Sequence, residues 1–135
     1  MIVYTTKLDD VTPDRLTGFF VGWRHPQTPK RHLEILKSSD RIVLAIDDDT
    51  DRVVGFINAL TDGLQAAFIP LLEVLPEYQR RGIGKELVSR MLAVLKPVPC
   101  IDLACDPVVQ PFYERCGMVR SVGMALRRYP PDDTP

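Results

Sequence analysis

The stretch PEYQRRGIGKELVSRML, residues 76 to 92, joins a glycine-containing turn directly to a helical pattern. The apolar residues that follow Gly82 recur at the spacing of one helix face, at Ile83, Leu87, Val88, Met91, Leu92 and Leu95. The first turn of a helix has unpaired main-chain N–H groups, and the helix dipole places partial positive charge there. The stretch therefore predicts an anion-binding helix start.

The residues of the turn favour phosphate as the anion. Gly82 and Gly84 have no Cβ atoms, so phosphate oxygens can approach the main chain closely. Arg80 and Arg81 add positive charge, and the Gln79 side chain can donate a hydrogen bond. A bare Gly-x-Gly is more often a simple turn. The arginines, a buried strand before the turn and an amphipathic helix after it together favour phosphate binding.

Two other phosphate-binding loops fit this turn less well. A Walker loop requires glycine at 79 and serine or threonine at 86, where this chain has Gln79 and Glu86. A dinucleotide-binding fingerprint requires a third glycine where Leu87 stands, although Asp102 and Asp106 follow at about the expected distance of 20 residues. A dinucleotide-binding oxidoreductase fragment therefore remains the weaker alternative.

The remaining pattern predicts a mixed α/β chain. Runs of β-branched and aromatic residues predict strands at 2–8, 41–46, 52–60, 66–74 and 100–104, with a last strand within 118–129. Helices are predicted after Thr12, at 29–38, from Gly82, and between Asp106 and Gly117. Pro70 cannot donate to a ladder, so strand 66–74 is expected to be unpaired locally on one side.

Composition indicates one domain, residues 1–129, with a frayed tail at 130–135. The 17 basic and 18 acidic residues nearly cancel, so no broad field exists for binding nucleic acid or an anionic membrane. The N-terminal residues do not form a signal-peptide pattern, and no apolar run reaches the ~20 residues of a membrane helix. We therefore expect a cytoplasmic protein.

Neither the cysteines nor the acidic run 47–51 predict a metal site. The three cysteines have no Cys-x-x-Cys spacing, which argues against both zinc binding and a disulfide framework. The acidic run DDDTD begins like a calcium loop, but Arg52 and Asn58 occupy the positions that require glycine and glutamate. We interpret this run as the tip of a hairpin between two strands.

The segment QRRGIG, residues 79–84, resembles the acyl-CoA loop of the GNAT superfamily of N-acetyltransferases. LEVLPEYQRRGIGKELV and PFYERCGM are similar to two motifs of that family, and the resemblance covers about residues 40–120. Met118 replaces the usual aromatic residue, and Asp106 stands where many members have asparagine. The resemblance implies an α/β (α+β) fold, with a mixed, mostly antiparallel central sheet of about six strands, splayed central strands and about four flanking helices.

The resemblance also implies acetyl-CoA as the cosubstrate and a primary amine as the acceptor. In the family, the pantetheine arm enters a gap beside the central strand, which corresponds here to the gap between 66–74 and 100–104. Carried over by motif, the coenzyme-binding residues are Leu72, Val74, Gln79, Arg80, Arg81, Gly82, Ile83, Gly84, Lys85, Asp106 and Phe112. The N–H of Val74 is the expected donor to the oxyanion that forms during transfer.

Two residues are candidates for proton transfer. Tyr113 occupies the position of the family's motif tyrosine, which implies a general acid for the leaving thiolate; otherwise it is a core aromatic residue beside Phe112. Its phenol, with an ordinary pKa of about 10, matches a thiolate acceptor adequately. Glu73 is the carboxylate of the predicted buried strand and a candidate base. It could instead form an ion pair with Arg80 or Arg81, with water taking the proton.

The front segment is expected to contact the acceptor. Phe19, Phe20, Trp23 and His25 could line an aromatic pocket, although aromatic residues at such spacing are more often core. The acceptor is expected to be a small molecule, with a protein or peptide as the alternative. Dimers are frequent in the family, so a homodimer is a further expectation. A catalytically idle coenzyme-A-binding or interaction domain is the alternative from a different functional class.

Overall fold

A computed structural model describes residues 1–128 of the chain and contains six strands and three α-helices in that range. The strands are β1 Ile2–Thr5, β2 Arg41–Asp47, β3 Arg52–Thr61, β4 Ala66–Phe68, β5 Leu72–Val74 and β6 Cys100–Asp102. The helices are α1 Pro29–Ser38, α2 Ile83–Val94 and α3 Gln110–Arg115, and short 3-10 turns occur at Pro13–Leu16, Pro76–Tyr78 and Pro107–Val109. Within this range, no helix has the length and apolar character that crossing a membrane requires.

The strands form one mixed, mostly antiparallel sheet, as predicted. Its order is β1-β2-β3-β4-β6, and β5 also pairs with β3. Every pair is antiparallel except β4 with β6, which is parallel. The predicted hairpin at the acidic run is the connection between β2 and β3.

Alternating residues of the central strands supply two cores on opposite faces of the sheet. On β2, Val43 and Ala45 belong to the core under α2, whereas Ile42 and Leu44 belong to the core under α1. The α2 core also contains Leu87 and Met91 of the helix itself. Such alternation is the expected pattern for a sheet covered on both faces.

Local signals in the sequence explain where the two long helices begin. The Thr28 side chain accepts a hydrogen bond from the N–H of Arg31 at 3.1 Å, and Pro29 occupies the first helical position. At α2, Gly82 has φ +80°, a left-handed conformation that suits glycine best. Both helices therefore begin where the sequence predicts.

Three sequence-based predictions are wrong in detail. The helix expected after Thr12 is a single 3-10 turn. The strand expected at 66–74 is interrupted between Phe68 and Leu72, because Pro70 cannot contribute a ladder hydrogen bond. The last strand, expected within 118–129, is absent from residues 118–128, which pair with no described strand. Residue 129 and the predicted tail 130–135 lie outside the described residues.

Candidate functional site

A bulge separates β4 from β5. Leu60 of β3 pairs with Phe68, and Ile57 pairs with Leu72, so three residues of the bulged strand oppose two residues of β3. The extra residue bends the strand at Pro70. The sequence predicted a local loss of strand pairing at this proline, and the structure shows that the loss occurs at a bulge.

Asn58, which the sequence analysis named only as a calcium-loop position, bridges this bulge from β3. Its main-chain N–H donates to the Leu71 carbonyl at 3.2 Å, and its Oδ1 accepts from the Leu71 N–H at 3.0 Å. Its Nδ2 donates to Ser39 Oγ at 3.0 Å. Asn58 is 2% exposed, so these bonds satisfy a buried amide and fix the position at which β5 resumes.

The sheet opens on the other side of the bulge. β6 pairs with β4 from Ala66↔Cys100 to Phe68↔Asp102, and the Ile69 N–H still donates to the Asp102 carbonyl at 2.9 Å. Within residues 1–128, β5 pairs with β3 alone. An opening therefore lies between β5 and the chain that follows β6, where splayed strands were expected.

Main-chain groups of β5 face this opening. The Leu75 N–H donates to the Val54 carbonyl at 2.8 Å, and the Leu71 carbonyl also bonds to β3. Because main-chain groups alternate sides along an antiparallel strand, those of Leu72 and Val74 point away from β3. The Val74 carbonyl accepts from Gln79 Nε2 at 3.0 Å. The Val74 N–H is therefore directed into the opening.

The turn before α2 presents a run of main-chain donors. Arg80 and Gly82 both have left-handed conformations, with φ of +65° and +80°. The first helical hydrogen bond runs from the Glu86 N–H to the Gly82 carbonyl at 3.0 Å. Within residues 1–128, the N–H groups of residues 80–85 have no protein acceptor. A concave run of free donors at a helix start fits a phosphate group.

Gly84 brings the turn, β5 and α3 together. A Cβ atom at Gly84 would lie 3.6 Å from the Phe112 ring and 3.8 Å from a Val74 methyl group. Arg81 lies over the Tyr78 ring at 5.0 Å, which holds its positive charge near the turn. Arg80 and Lys85 are exposed. Most predicted coenzyme-binding residues thus lie around one opening.

Asp106 lies apart from the hydrogen bonds that shape the turn. It is exposed at the start of a 3-10 turn, and its carbonyl accepts from the Val109 N–H at 2.9 Å. Its carboxylate makes no hydrogen bond to the described residues that would orient it toward the opening.

Tyr113 is half-buried beside Phe112, with ring centroids 5.0 Å apart. Burial, and secondarily the neighbouring Cys105 and Cys116, raises the pKa of Tyr113 to about 12. The phenol therefore stays protonated, and it is a weaker acid than an ordinary phenol. Cys105, which interacts with Tyr113, lies three residues after the end of β6. Tyr113 therefore lies beside the chain that follows β6, on the side of the opening away from β5.

Glu73 lies on the α1 side of β5 and contacts the front segment. Its Oε1 accepts from the Phe20 N–H at 2.9 Å, whereas its Oε2 is buried and has no partner within residues 1–128. Burial raises the pKa of Glu73, and the Phe20 hydrogen bond opposes that shift. The alternative ion pair with Arg80 or Arg81 is not formed within the described residues.

The front aromatic residues are mainly core. Phe19, Phe20 and Phe56 surround His32, and the ring centroid of His32 lies 4.3 Å from that of Phe56. Trp23 contacts the edge of this cluster and remains 44% exposed. Phe20 is buried and Phe19 is partly buried, so both rings pack mainly with the core under α1, which was the alternative to an aromatic pocket. His25 is exposed in the loop that follows.

The burial of His32 was also not predicted from the sequence. It is fully buried, and neither Nδ1 nor Nε2 has a hydrogen-bond partner within residues 1–128. Burial lowers the pKa of His32 to about 4. Its position on the apolar face of α1, next to Leu33 and one turn from Leu36, was the available signal.

A groove of about 310 Å³ lies on the α1 side of the bulge. Glu34 of α1, Asn58 of β3 and Leu71 are among its lining residues. Pro70 and Leu71, which line the groove, directly precede β5. Glu73, the one odd-numbered residue of β5, faces the same side of the sheet but does not line the groove.

The model of the acetyltransferase (GNAT) family matches residues 8–118. The chain belongs to the GNAT acetyltransferase family. Acetyl transfer from acetyl-CoA is the activity that this family membership implies.

Solved structures support the GNAT fold over nearly the whole chain. A crystal structure of an inferred acetyltransferase from Deinococcus radiodurans R1 is 47% identical, with a TM-score of 0.91, and the match covers 94% of this chain and 88% of that one. A less similar GNAT-fold structure, AAC(6')-Iy in complex with a CoA-containing bisubstrate analogue, has 17% identity and a TM-score of 0.64, over 96% and 99% of the two chains.

Curated relatives are longer than the matched region. An uncharacterized N-acetyltransferase, ycf52, from Porphyra purpurea is 27% identical over 105 residues, which cover 74% of this chain and 59% of the relative. The chain thus spans less than two thirds of the length of that GNAT relative.

Proposed function

We propose that this chain transfers an acetyl group from acetyl-CoA to a primary amine of a small molecule by direct attack in a ternary complex. The observation that carries the proposal is that main-chain N–H groups without protein acceptors occur both in the turn at residues 80–85 and at Val74. The set at residues 80–85 binds the diphosphate, and the Val74 N–H faces the opening where the thioester would lie. Leu72, Gly84 and Phe112 line the path between them.

The reaction requires one bond to form and one to break. The amine nitrogen attacks the thioester carbonyl carbon, and the Val74 N–H stabilises the oxyanion. The C–S bond then breaks, and the thiolate receives a proton from Tyr113. A donor with a pKa of about 12 makes this transfer uphill for a free alkylthiolate, so we assign Tyr113 the role of proton donor during bond cleavage.

The amine must lose a proton before or during attack. Glu73 has one oxygen held by the Phe20 N–H and a second oxygen without a protein partner. Burial raises its pKa above that of an ordinary carboxylate, which makes it a better proton acceptor. Glu73 therefore takes the proton, directly or through water, from an acceptor that enters along the groove beside Glu34 and Leu71.

We place the acceptor in the groove on the α1 side. The groove on the α1 side is open to solvent and suits a small amine, and a peptide amine is the alternative acceptor. We retain the cytoplasm as the expected location and propose no metal in the reaction.

Release of free coenzyme A thiol across a panel of amines tests the proposal. We expect thiol release that depends on both acetyl-CoA and an amine, with the acetylated amine identified by mass spectrometry. Binding of coenzyme A without turnover of any small amine or peptide would instead favour an idle binding domain. Stabilisation by NAD but not by coenzyme A would favour the dinucleotide-binding alternative.

A further inference from the structure

The hairpin between β2 and β3 contacts the 3-10 turn Pro76–Tyr78, which connects β5 to the coenzyme-binding turn. The Tyr78 hydroxyl donates to Asp47 Oδ2 at 2.6 Å, and Arg52 Nη1 lies 3.2 Å from Glu77 Oε1. Asp47 and Arg52, here called the hairpin base, pair with each other as the last residue of β2 and the first residue of β3. The hairpin base therefore holds the 3-10 turn at two points.

The hydrogen bond between Tyr78 and Asp47 joins a protonated phenol to an ionised carboxylate. The bond from Tyr78, and after it the bond from the Asp49 N–H, lowers the pKa of Asp47 below its ordinary value. The same bond to Asp47 raises the pKa of Tyr78. Asp47 Oδ1 accepts from the Asp49 N–H at 3.0 Å, so the hairpin itself orients the carboxylate. A charge-assisted bond to an oriented acceptor fixes the direction of the Tyr78 ring.

The ring of Tyr78 in turn supports Arg81 of the coenzyme-binding turn. The Arg81 Cζ atom lies 5.0 Å from the ring centroid, and Arg81 Nη2 donates to the Glu77 carbonyl at 3.4 Å. Among residues 1–128, Arg81 forms no ion pair, so its charge is available to an anion. A guanidinium that lies over an aromatic face can still donate from its remaining N–H groups to phosphate oxygens.

We propose that Tyr78 is a positioning residue for the coenzyme, which directs Arg81 toward the diphosphate because Asp47 of the hairpin base fixes its ring. This role rests on the proposed function, in which the turn at residues 80–85 binds the diphosphate. Tyr78 acts through Arg81 rather than on the ligand. The acidic run 47–51, interpreted from sequence as a hairpin tip, thereby contributes to coenzyme affinity through its first residue.

Orienting Arg81 before the coenzyme arrives lowers the entropy that is lost on binding. A free arginine side chain loses rotamer freedom when it binds a phosphate group. A guanidinium that is already held over the Tyr78 ring has lost part of that freedom beforehand. Loss of the Tyr78 hydroxyl should therefore weaken coenzyme binding and leave the chemistry at the thioester unchanged.

A double-mutant cycle of Tyr78→Phe and Arg81→Gln tests this role, with the dissociation constant of coenzyme A measured by calorimetry. Tyr78→Phe keeps the ring but removes its bond to Asp47. Tyr4→Phe and Arg90→Gln form the matched control cycle, because the Arg90 Cζ atom lies 4.4 Å from the ring centroid of Tyr4. Steady-state kinetics separate kcat from the KM for acetyl-CoA, and thermal unfolding monitored by circular dichroism verifies that each variant is folded.

We expect Tyr78→Phe to raise the dissociation constant of coenzyme A about fivefold, the effect of losing one net hydrogen bond. The KM for acetyl-CoA should rise with it, while kcat stays constant. In the Arg81→Gln background, Tyr78→Phe should have no further effect on affinity. The control cycle with Tyr4 and Arg90 should leave the affinity unchanged.

Three results would overturn the role of Tyr78 alone: unchanged coenzyme affinity in Tyr78→Phe, additive effects of the two substitutions, or a fall in kcat without a change in affinity. Additive effects would mean that Tyr78 does not act through Arg81. Failure of the unaltered chain to bind coenzyme A would instead overturn the proposed function together with this role, so the two failures are distinguishable.

Discussion

At the residue scale, burial shifts two acids in the same direction with different consequences. The raised pKa of Tyr113 keeps its phenol protonated, as a proton donor requires. The raised pKa of Glu73 brings its carboxylate closer to the range of a useful base. The sheet separates the two groups, since Tyr113 packs with the α2 core and Glu73 faces the front segment.

Tyr113→Phe tests the proton donor. Removing the hydroxyl should lower kcat by about 10²-fold, the lower end of a typical general-acid contribution. The dissociation constant of coenzyme A should stay nearly constant, because the phenol acts on the leaving sulfur. Steady-state kinetics and calorimetry measure the two quantities.

Tyr4→Phe is the matched control, because Tyr4 lies on β1 under Arg90 and away from the opening. Equal kcat values for the two variants would remove Tyr113 from the mechanism.

His32 gives a pH-dependent stability prediction. Its folded pKa of about 4 lies below the ordinary 6.5, so the unfolded state binds the proton more tightly. The stability associated with neutral His32 is complete above pH 6.5 and is lost as the pH falls toward 4, by about 3 kcal/mol in total at 1.36 kcal/mol per pKa unit.

Urea denaturation of the unaltered chain and of His32→Leu at pH 7 and at pH 4 isolates this contribution. Carboxylates titrate in both proteins, so the difference in pH dependence reports on His32. The variant should lose less stability on acidification. An identical loss in the two proteins would contradict the buried, neutral state of His32.

At the element scale, the bulge and the glycine turn determine which main-chain groups are free. Asn58 replaces the ladder bonds that Pro70 interrupts and so sets the position of β5. Gly82 permits the left-handed turn that leaves the donors of residues 80–85 facing outward. The chemistry at the opening thus depends on backbone geometry more than on charged side chains.

Asn58→Ala should both destabilise the fold and slow transfer. It leaves the partly buried Leu71 N–H without its acceptor, at a cost of about 1 kcal/mol, the lower end of the range for an unsatisfied buried donor. Because β5 then loses its fixed position, kcat should fall more than the KM for acetyl-CoA rises.

Ser39→Ala is the control for Asn58, since it removes the acceptor of Asn58 Nδ2 but leaves the Leu71 bonds intact. Denaturation and steady-state kinetics compare the variants. A kcat for Asn58→Ala that matches that of Ser39→Ala would show that the bulge does not position the reacting groups.

Gly82→Ala and Gly63→Ala form a matched pair. Both glycines have positive φ, at +80° and +75°, and an added Cβ would meet no atom within 4 Å at either position. Each substitution should cost about 1 to 2 kcal/mol of stability through left-handed strain.

Only Gly82→Ala should also weaken coenzyme A binding, because only Gly82 belongs to the turn that presents the donors. Calorimetric titration measures the affinities. Equal coenzyme affinities in the two variants would argue against the turn as the binding site.

At the scale of the whole molecule, the sheet separates the opening beside β5 from the groove on the α1 side. In the proposed reaction, the coenzyme occupies the opening and the start of α2, and the acceptor occupies the groove. The outer edge of β6, which pairs with no strand of the described residues, lies beyond the opening.

Much of this arrangement was predictable because its signals are local. The helix at 29–38, the helical spacing after Gly82 and the hairpin at the acidic run each depend on a few adjacent residues. The bridge from Asn58 to Leu71, the contact of Glu73 with Phe20 and the burial of His32 join distant segments. Residues 118–128 do not form the predicted strand, because a β-forming pattern alone does not determine whether a segment pairs with an available edge.

We propose that the main-chain donors of residues 80–85 hold the diphosphate of the coenzyme. Titration of ¹⁵N-labelled protein with coenzyme A, with each amide followed by NMR and hydrogen exchange, tests this binding mode. We expect the largest shifts and the strongest new protection at these amides, with a smaller change at Val74. Binding that leaves these amides unperturbed, or no binding at all, would contradict it.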